Sequence, residues 1–435
     1  MSEWKKVKLA DVCDFIKGET GIAKADAGEY LLVVTGKERK TCDSFQFDTK
    51  AVCIPLVSST GHGKASLNYV HYQEGKFALG TILVAVIPRD ENVINPQFLH
   101  LYLSRLKDSL LVPLMKGTAN VSLSVALIKN IEISVPKIER QIQIVNLFNQ
   151  IDLEHQELSK ENTNQQIYLT KLRQAILQEA IEGKLTADWR VKNPVEKGNP
   201  NTDAAALLAT IKAEKQKLIA EGKIKKEKPL APINPGDVPF ALPDGWVWTR
   251  LGEVSQYGFP EKVNSNKEIL VDTWVLDMED IEKNTSRLIN RVLSDSRVIQ
   301  STKTKFKKGD VLFGKLRPYL NKVLVADLDG VCTTEIVPIR GYCEIDPEYI
   351  KFVLKSRLTM NRVSRLMGGV KMPRLGTNDA ITLNFPLPPL AEQHAIVERV
   401  DSLMAAVNTL EQQVKERKIY AEQLMQAVLK KAFAG

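Results

Sequence analysis

The residues best suited to chemistry in this sequence are clustered cations, and the densest cluster lies between positions 303 and 322. Phe306, Phe313 and Tyr319 are interleaved with it, and Asp310 is the one acidic residue inside it. Lysine and arginine neutralise phosphates and arginine also pairs with base edges, so this pattern indicates a nucleic-acid-binding surface. The cations are Lys303, Lys305, Lys307, Lys308, Lys315, Arg317 and Lys322.

Similar residues recur at what we take to be matching places in the first half of the chain, and Arg362, Arg365, Lys371 and Arg374 flank Gly368-Gly369 in the second. A charge cluster is often only a solvated surface. Two clusters at matching places favour nucleic acid, since serine, threonine and asparagine also bind bases. The candidate DNA-binding residues are Arg39, Lys40, Ser59, Thr60, His62, Lys64, Lys116, Thr118 and Asn120 in the first half, and Lys305, Lys307, Lys315, Arg317, Tyr319, Lys371 and Arg374 in the second.

No residue pattern in the sequence indicates catalysis. The histidines show no metal-ligand spacing, and no cysteine clusters lie near them. The segment from Gly61 to Ser66 resembles a phosphate loop only superficially, because Ala65 follows Lys64, and we interpret it as a tight glycine turn. We therefore predict a protein without a catalytic site, a metal or a cofactor of its own.

Composition supports a DNA-binding protein only weakly. The net charge of +8 suits a polyanionic partner, although many other proteins are as basic. The apolar runs are too short to cross a bilayer, and no apolar stretch follows the first lysines. Five cysteines without Cys-x-x-Cys spacing indicate reduced thiols, so we expect a cytoplasmic protein with no membrane partner.

The elements that must position these clusters are duplicated. Residues 141–183 match residues 393–435 without gaps at an offset of 252, with identities such as Gln141/Gln393, Tyr168/Tyr420 and Leu172/Leu424. The chain thus contains a globular unit, a helix, a linker, a second globular unit and a second helix. Short apolar runs at 82–87, 310–313, 322–326 and 336–339 predict strands, and 96–106 and 347–358 predict helices.

Both repeated segments carry a seven-residue apolar pattern that predicts a coiled coil. His155, Asn162, Gln165 and Arg417 interrupt the expected seam. The helices either pair with each other or with helices of another protein. The expected seam rows are Ile396, Leu403, Leu410 and Leu424 with Val400, Val407, Val414, Ala421 and Val428, and Ile144, Ile151, Leu158 and Leu172 with Phe148, Leu169 and Ile176.

The region between the two copies, residues 184–241, is predicted to be a linker. It contains a short helix from Asp203 to Glu221, which Asp203 caps and Gly222 ends. Lysines and then prolines follow, a composition typical of an extended, solvated connector. Its charges are interpreted as solvation, with contact to DNA phosphates as the alternative.

Several motifs carry a resemblance to a known family. Leu387-Pro388-Pro389-Leu390-Ala391-Glu392-Gln393 leads into the second long helix, and the weaker Val135-Pro136-Lys137-Ile138-Glu139-Arg140-Gln141 leads into the first. The stretch 309–318 and the openings Leu242–Trp248 and Trp4–Leu9 also match. Through their order and doubling, the whole chain resembles the specificity subunits of type I restriction–modification systems.

The resemblance implies an α+β protein with an internal pseudo-two-fold repeat, in which the two helices pair as an antiparallel coiled coil. Each globular unit would be a target-recognition domain that reads one half of a bipartite site in double-stranded DNA. Two methyltransferase subunits would use S-adenosylmethionine to methylate adenine, and restriction subunits would need ATP and magnesium. The expected boundaries are 1–138 and 242–388 for the recognition domains, 139–183 and 389–435 for the helices, and 184–241 for the linker.

Two other classes stay open from the residues alone. The chain could be the specificity partner of a related split-site methyltransferase, of type IIB or IIG kind. It could also be a coiled-coil adaptor whose basic surface is incidental. An enzyme, with a nuclease as the first kind to test, ranks third because no catalytic constellation supports it.

Overall fold

A computed structural model describes residues 4–433 except 24, 61–62, 119, 227, 235, 237, 260, 264–268, 298, 300 and 368–370. The chain forms two compact units, Met1–Thr163 with Lys415–Gly435 and Asn164–Val414, and each long helix contributes to both. Both units mix helices and strands, which confirms the α+β class. Within the described residues, no helix is both long and apolar enough to span a membrane.

The first unit contains the first recognition domain and ends in a long helix that begins just after Pro136, where proline is tolerated. Its elements are β1 (Lys5–Lys8), α1 (Leu9–Val12), β2 (Cys13–Lys17), β3 (Tyr30–Val33), β4 (Lys40–Cys42), β5 (Phe47–Asp48), β6 (Ala51–Pro55), β7 (His71–Gln73), β8 (Lys76–Leu79), β9 (Leu83–Pro88), α2 (Pro96–Arg105), α3 (Lys107–Leu110), α4 (Val125–Lys129), β10 (Glu132–Val135) and α5 (Ile138–Ile181).

The second unit repeats this order after two additional helices. Its elements are α6 (Ala187–Lys192), α7 (Ala204–Ala220), β11 (Val247–Arg250), α8 (Leu251–Val254), β12 (Ser255–Tyr257), β13 (Lys262–Val263), β14 (Trp274–Leu276), β15 (Lys303–Phe306), β16 (Val311–Gly314), β17 (Val323–Val325), β18 (Gly330–Thr333), β19 (Ile336–Gly341), α9 (Pro347–Lys355), α10 (Arg357–Leu366), α11 (Thr377–Ile381), β20 (Asn384–Leu387) and α12 (Leu390–Phe433).

The predicted strands and helices are confirmed, with one break. The helix expected over 347–358 ends at Lys355, and α10 starts at Arg357. Ser356 between them has extended backbone, with φ −70° and ψ 164°, and its hydroxyl donates to Val353 O at 2.6 Å. This local side-chain bond competes with the helical pattern.

The sheets confirm the duplication. Antiparallel pairs β1–β10 and β11–β20 join the start of each domain to the strand before its long helix. One four-stranded sheet has the order β2-β9-β6-β7 in the first unit and β12-β19-β16-β17 in the second. The other has the orders β4-β3-β8-β5 and β13-β15-β18-β14, with the parallel pairs β3–β8 and β14–β18. The remaining edge strands are not equivalent, because β4 follows and pairs with β3 in the first unit, whereas β13 precedes β14 and pairs with β15 in the second.

A buried glutamine anchors each long helix to its recognition domain. Gln141 Oε1 accepts from the backbone N–H of Asn95, the residue that caps α2, at 2.9 Å. Gln393 Oε1 accepts in the same way from Asp346, the cap of α9, at 3.0 Å. Both glutamines are 0% exposed. The identity at offset 252 thus reflects a shared anchor, because a buried amide must satisfy its polar atoms.

The long helices pair in antiparallel directions, as the contacts inside the second unit show. Glu392, near the start of α12, bonds to Thr186 and Arg190 beyond the end of α5. Asn408, further along α12, accepts from Arg173 within α5 at 2.7 Å. The partners move backwards along one helix as they move forwards along the other. In the first unit, Ala432 near the end of α12 shares a core with residues near the start of α5.

The buried seam differs from the prediction in one of its two rows. Val400, Val407 and Val414 are buried as expected. The other row is confirmed near the start of each helix, where Ile144 and Ile396 are buried. Further along the helices it is wrong, since Leu403, Leu410, Leu424 and Leu172 are 40%, 47%, 66% and 43% exposed. The inward positions are those one residue later, which are held by Met404, Glu411, Met425 and Arg173. Of the polar residues expected in the seam, Asn162 is buried and Arg417 is exposed.

The short helix between the two copies belongs to the second unit. The predicted cap is confirmed, since Asp203 Oδ1 accepts from the backbone N–H of Ala205 at 3.1 Å. Gly222 ends the helix with φ +70°, in the left-handed region that suits glycine. Leu207 and Ile211 are fully buried in the core of the second recognition domain. The predicted short helix is therefore packed against the second recognition domain.

Candidate nucleic-acid interface

The second recognition domain brings two basic loops side by side. The loop after β16 pairs with the segment before α11 through an isolated bridge between Leu316 and Arg374. Arg317 N donates to Pro373 O at 2.8 Å, and Leu375 N donates to Lys315 O at 3.0 Å. The candidate residues Lys315, Arg317, Tyr319, Lys371 and Arg374, which the sequence placed in two separate clusters, therefore lie on one pair of adjoining loops.

The first recognition domain builds the same loop pair from different residues. Val57 bridges Ser122, which lies 252 positions before Arg374. Ser58 N donates to Val121 O at 3.0 Å and Leu123 N donates to Leu56 O at 2.8 Å. The bond from Ser58 N corresponds to the bond from Arg317 N in the second domain, and the bond from Leu123 N corresponds to that from Leu375 N. The two units therefore share one loop framework and carry different side chains on it.

The candidate residues of the first loop pair are close together. Ser59, Thr60 and Lys64 lie on one loop, and Lys116, Thr118 and Asn120 lie on the other. Gly63 lies where the two loops come closest. A Cβ at this position would lie 2.3 Å from Thr118 O, and the φ of Gly63 is +75°. Only glycine fits this approach. His62, predicted for the same surface, lies outside the described residues.

Hydroxyl groups give the first loop its shape. Thr60 Oγ1 lies 2.8 Å from Ser66 Oγ, and Ser59 Oγ accepts from the backbone N–H of Asn68 at 2.9 Å. Lys64 and Lys116 are exposed, with their cationic groups available to solvent. The loop thus offers cations on a framework that its serine and threonine residues hold in place.

Charge on the second loop pair is partly balanced. Arg374 forms a salt bridge with Glu335 at 3.0 Å, and this contact raises the pKa of the arginine. Arg317 has left-handed backbone with φ +47°, and its buried Nε has no hydrogen-bond partner among the described residues. Tyr319 is 50% exposed. Glu335 is a residue that the sequence pattern missed, because it lies 39 positions from its partner.

The lysine cluster at 303–322 is less uniform than its sequence suggests. Lys303 is buried and pairs with Asp277 at 2.7 Å, and Lys322 Nζ donates to Met278 O at 2.7 Å. Asp310 does not oppose the exposed lysines, since it is buried and accepts from Arg340 at 2.7 Å. Lys305 and Lys307 are exposed, and with Phe259 and Arg340 they line a cavity of about 540 Å³.

Arg39 and Lys40 lie on a different part of the first domain. The Arg39 guanidinium is half-buried and donates to Gln73 Oε1 at 3.2 Å and to Tyr72 O at 3.2 Å, and burial lowers its pKa. His71 Nδ1 lies 3.0 Å from it, and burial lowers the pKa of this histidine to about 4. Lys40 opens β4, which pairs with β3, whereas Lys305 lies on β15, which pairs with β13 and β18. These two residues therefore have no matching place near Lys305, which corrects the sequence alignment of the clusters.

A second cationic cavity was not predicted. Arg362 and Arg365 on α10 were noted in the sequence, but Arg250 joins them across a cavity of about 410 Å³. Arg250 itself donates to Asn384 Oδ1 at 2.5 Å and Thr382 O at 2.8 Å. No spacing rule brings residue 250 to residue 362, so only the fold could show this site. Among the described residues, no group of three or more histidine, cysteine or acidic side chains could hold a metal ion.

Comparisons with known proteins agree with this duplicated framework. The family described as type I restriction modification DNA specificity domain matches residues 1–169 and 243–417. The EcoDI type I restriction enzyme specificity subunit of Escherichia coli is 28% identical over 439 residues, covering 100% of this chain and 88% of that protein. The EcoAI specificity subunit of the same species is 30% identical over 278 residues, covering 60% of this chain and 44% of that protein. A solved chain from a study of type I system assembly has a TM-score of 0.58 at 15% identity, covering 99% and 97% of the two chains, and shares the fold.

Proposed function

The chain belongs to the type I restriction modification DNA specificity family, and we propose that its two loop pairs each read one half of a bipartite DNA target. Within that family it is a specificity subunit that recognises DNA and does not catalyse. The chemistry belongs to the other subunits of the complex, which act in the cytoplasm. The candidate residues on the two loop pairs are the proposed DNA contacts.

The observation that carries this proposal is the shared loop framework with different side chains. The bridges Val57–Ser122 and Leu316–Arg374 occupy the same place in two homologous domains. Backbone pairing holds each surface rigid, so a change of side chain alters the bases that fit without altering the fold. Three of the six candidate residues on the first surface are serine or threonine, whereas four of the five on the second are lysine or arginine. Two half-sites of different sequence are the expected result.

The helix pair explains why the target should be interrupted. Each helix has 44 residues and is therefore about 66 Å long. Rigid helices between two readers would keep the half-sites at a fixed separation, much as dimer geometry sets half-site spacing in symmetric regulators. The intervening bases would be spanned without being read. Their number would matter, but their sequence would not.

The exposed apolar row of the helices is the proposed docking surface for two methyltransferase subunits. Leucines 172, 403, 410 and 424 are each at least 40% exposed, which is unusual for a row of this regularity. The repeat presents similar residues twice, at Leu172 and Leu424 for example, so two copies of one partner would fit. Those subunits would bring S-adenosylmethionine, and restriction subunits would bring ATP and magnesium.

The experiment that tests this function is methylome sequencing of cells that express the chain with its neighbouring methyltransferase. We expect methyl groups at one bipartite motif with a fixed unspecified gap. A continuous motif, or none, would refute the proposal. Exchanging residues 242–388 for those of a homologue should change one half-site only, and a change in both would contradict the modular assignment. A merely structural adaptor would show little salt dependence of DNA binding.

A further inference from the structure

The second recognition domain contacts the helix pair through two acidic residues of α12. Glu392, 1% exposed, accepts from Trp246 Nε1 at 2.7 Å, from Thr186 Oγ1 at 2.6 Å and from Arg190 at 2.5 Å. Trp246 opens the recognition domain, directly before β11. This contact fixes the domain where α12 begins.

The second contact lies further along the same helix. Glu411 accepts from Arg173 of α5 at 2.8 Å and from Arg287 of the recognition domain at 2.7 Å. Asn408 Oδ1 accepts from the same two arginines, at 2.7 and 3.3 Å. One carboxylate therefore joins three elements: both long helices and a loop of the domain. We call Glu411, Asn408, Arg173 and Arg287 the distal clamp.

The loop that carries Arg287 is itself held in place by Lys355 of α9. Lys355 at the end of α9 is buried, and its ammonium donates to Asn284 O at 2.9 Å, Thr285 O at 3.1 Å and Ser286 Oγ at 2.5 Å. Asn284 and Ser286 have φ of 65° and 62°, so the loop is bent into a form that needs such support. Because this loop is fixed to α9, the contact of Arg287 with α12 restrains the recognition domain and not only the loop.

The charged contacts are particular to the second unit. At offset 252, the residues that match Glu392, Asn408, Glu411 and Arg173 are Arg140, Gln156, Ser159 and Met425. None of them is acidic, so the first unit cannot form the same acid–base pairs there. Met425 instead packs against the apolar core of the first domain. The glutamine anchor is thus present in both units, whereas the charged residues of the clamp are present in the second unit alone among the matched positions of the described chain.

Two contacts restrain a domain much better than one. Glu392 and Glu411 are nineteen residues apart, which is about 29 Å along the helix. A slack of about 1 Å at each contact over that length permits a tilt of only about 2–4°. Adding one base pair to the DNA gap shifts the half-site by about 3.4 Å and turns it by about 34°. A domain held at both points cannot follow that movement, whereas one held only near the start of α12, by Glu392 and Gln393, can pivot.

We propose that the distal clamp is a positioning device that restricts the gap lengths accepted between the two half-sites, with Glu411 as its central residue. The proposal rests on the bipartite function proposed above. Glu411 contacts no DNA in this scheme and acts through Arg287. Its loss should therefore change the tolerance for gap length and leave the bases read in each half-site unchanged.

The test uses the full chain with its methyltransferase and three DNA duplexes. The half-sites are those of the wild-type methylome, and the gap is the natural length or one base pair shorter or longer. The variant Glu411→Gln keeps the shape and removes the charge, and Glu398→Gln on an exposed position of α12 is the matched control. We expect Glu411→Gln to reduce the preference for the natural gap about tenfold, which corresponds to about 1.4 kcal/mol, with Glu398→Gln unchanged.

A double-mutant cycle and hydrogen exchange separate positioning from general damage. Arg287→Met should match Glu411→Gln, and the double variant should lose no more than either one, because both break the same contact. Exchange of the amides at 282–288 should quicken in Glu411→Gln. A quickened loop with an unchanged gap preference would overturn the positioning proposal and leave the bipartite function standing. An equal loss of affinity on all three duplexes would also overturn it, and a wild type without a bipartite motif would refute the function instead.

Discussion

The two buried glutamines offer a quantitative test of the duplicated framework. Gln141 makes three hydrogen bonds, to Asn95 N at 2.9 Å, Val93 O at 2.9 Å and Pro136 O at 2.8 Å. Gln393 makes two, to Asp346 N and Pro388 O, each at 3.0 Å. At about 1 kcal/mol per bond, Gln141→Ala should reduce the free energy of unfolding by about 3 kcal/mol and Gln393→Ala by about 2 kcal/mol.

The assay is thermal and urea unfolding of the full chain, monitored with a separate probe in each unit. A loss of about 3 kcal/mol in a unit of this size lowers Tm by roughly 6–12 °C. Because Gln141 lies in the first unit and Gln393 in the second, each variant should shift the transition of its own unit. Gln143→Ala is the matched control, since Gln143 is exposed two residues along the same helix.

The result that would refute this reasoning is equal stability of Gln141→Ala and Gln143→Ala. It would mean that the glutamine identity at offset 252 does not mark a structural anchor. A shift of both units by either variant would contradict the division of the anchors between them. Replacement by glutamate should not rescue the variant, because a buried carboxylate cannot donate to the Pro136 carbonyl when ionised.

Two further predictions concern buried charges of the second domain. Burial lowers the pKa of Lys355 to about 7. Between pH 7 and 10 the unfolded state then holds the extra proton, so the free energy of unfolding should rise with pH by up to about 1.4 kcal/mol per unit. Lys355→Met should abolish this rise in urea unfolding at pH 7, 8 and 9, and an unchanged slope would contradict the assignment. Asp310→Ala should cost about 2 kcal/mol, measured in the same way, because Asp310 caps the N–H of Lys307 at 2.7 Å. Asp310→Asn keeps an acceptor and should recover part of the loss; if Asp310→Ala unfolds like the wild type, Asp310 has no structural role.

The sequence predicted the fold well because its strongest signal was repetition. An offset of 252 can be found without knowledge of any partner, and the order of one sheet and the two glutamine anchors follow it. The seam shows the limit of that signal. Two apolar rows and a third, mixed row that contains Met404, Glu411 and Met425 run along α12, and a periodicity of seven does not determine which two rows face the partner helix. The row that contains the charged Glu411 does not read as a buried row from the sequence. It faces inward nevertheless, because Arg173 and Arg287 form salt bridges with Glu411 there.

The candidate site was predicted in part for a related reason. Clustering in sequence located the loop pairs, because each loop is a continuous segment and its counterpart lies at the same offset. It could not separate Lys303 from Lys305, since the difference between them is Asp277, which pairs with Lys303 from 26 residues away. It also could not place Arg39, whose partners lie on β7. Long-range contacts decide which cations are free to meet phosphate.

The segment between the two copies, residues 184–241, has a structural role that its sequence does not reveal. The lysines and prolines after α7 predict an extended connector, whereas α7 itself is packed: Leu207 and Ile211 are buried, and Lys215 Nζ donates to Gly252 O at 2.9 Å. Thr186 and Arg190, just after α5, supply two of the partners of Glu392. The segment therefore holds the second recognition domain against the two long helices. Shortening it would release that domain, whereas a pure spacer could be shortened with only a loss of reach.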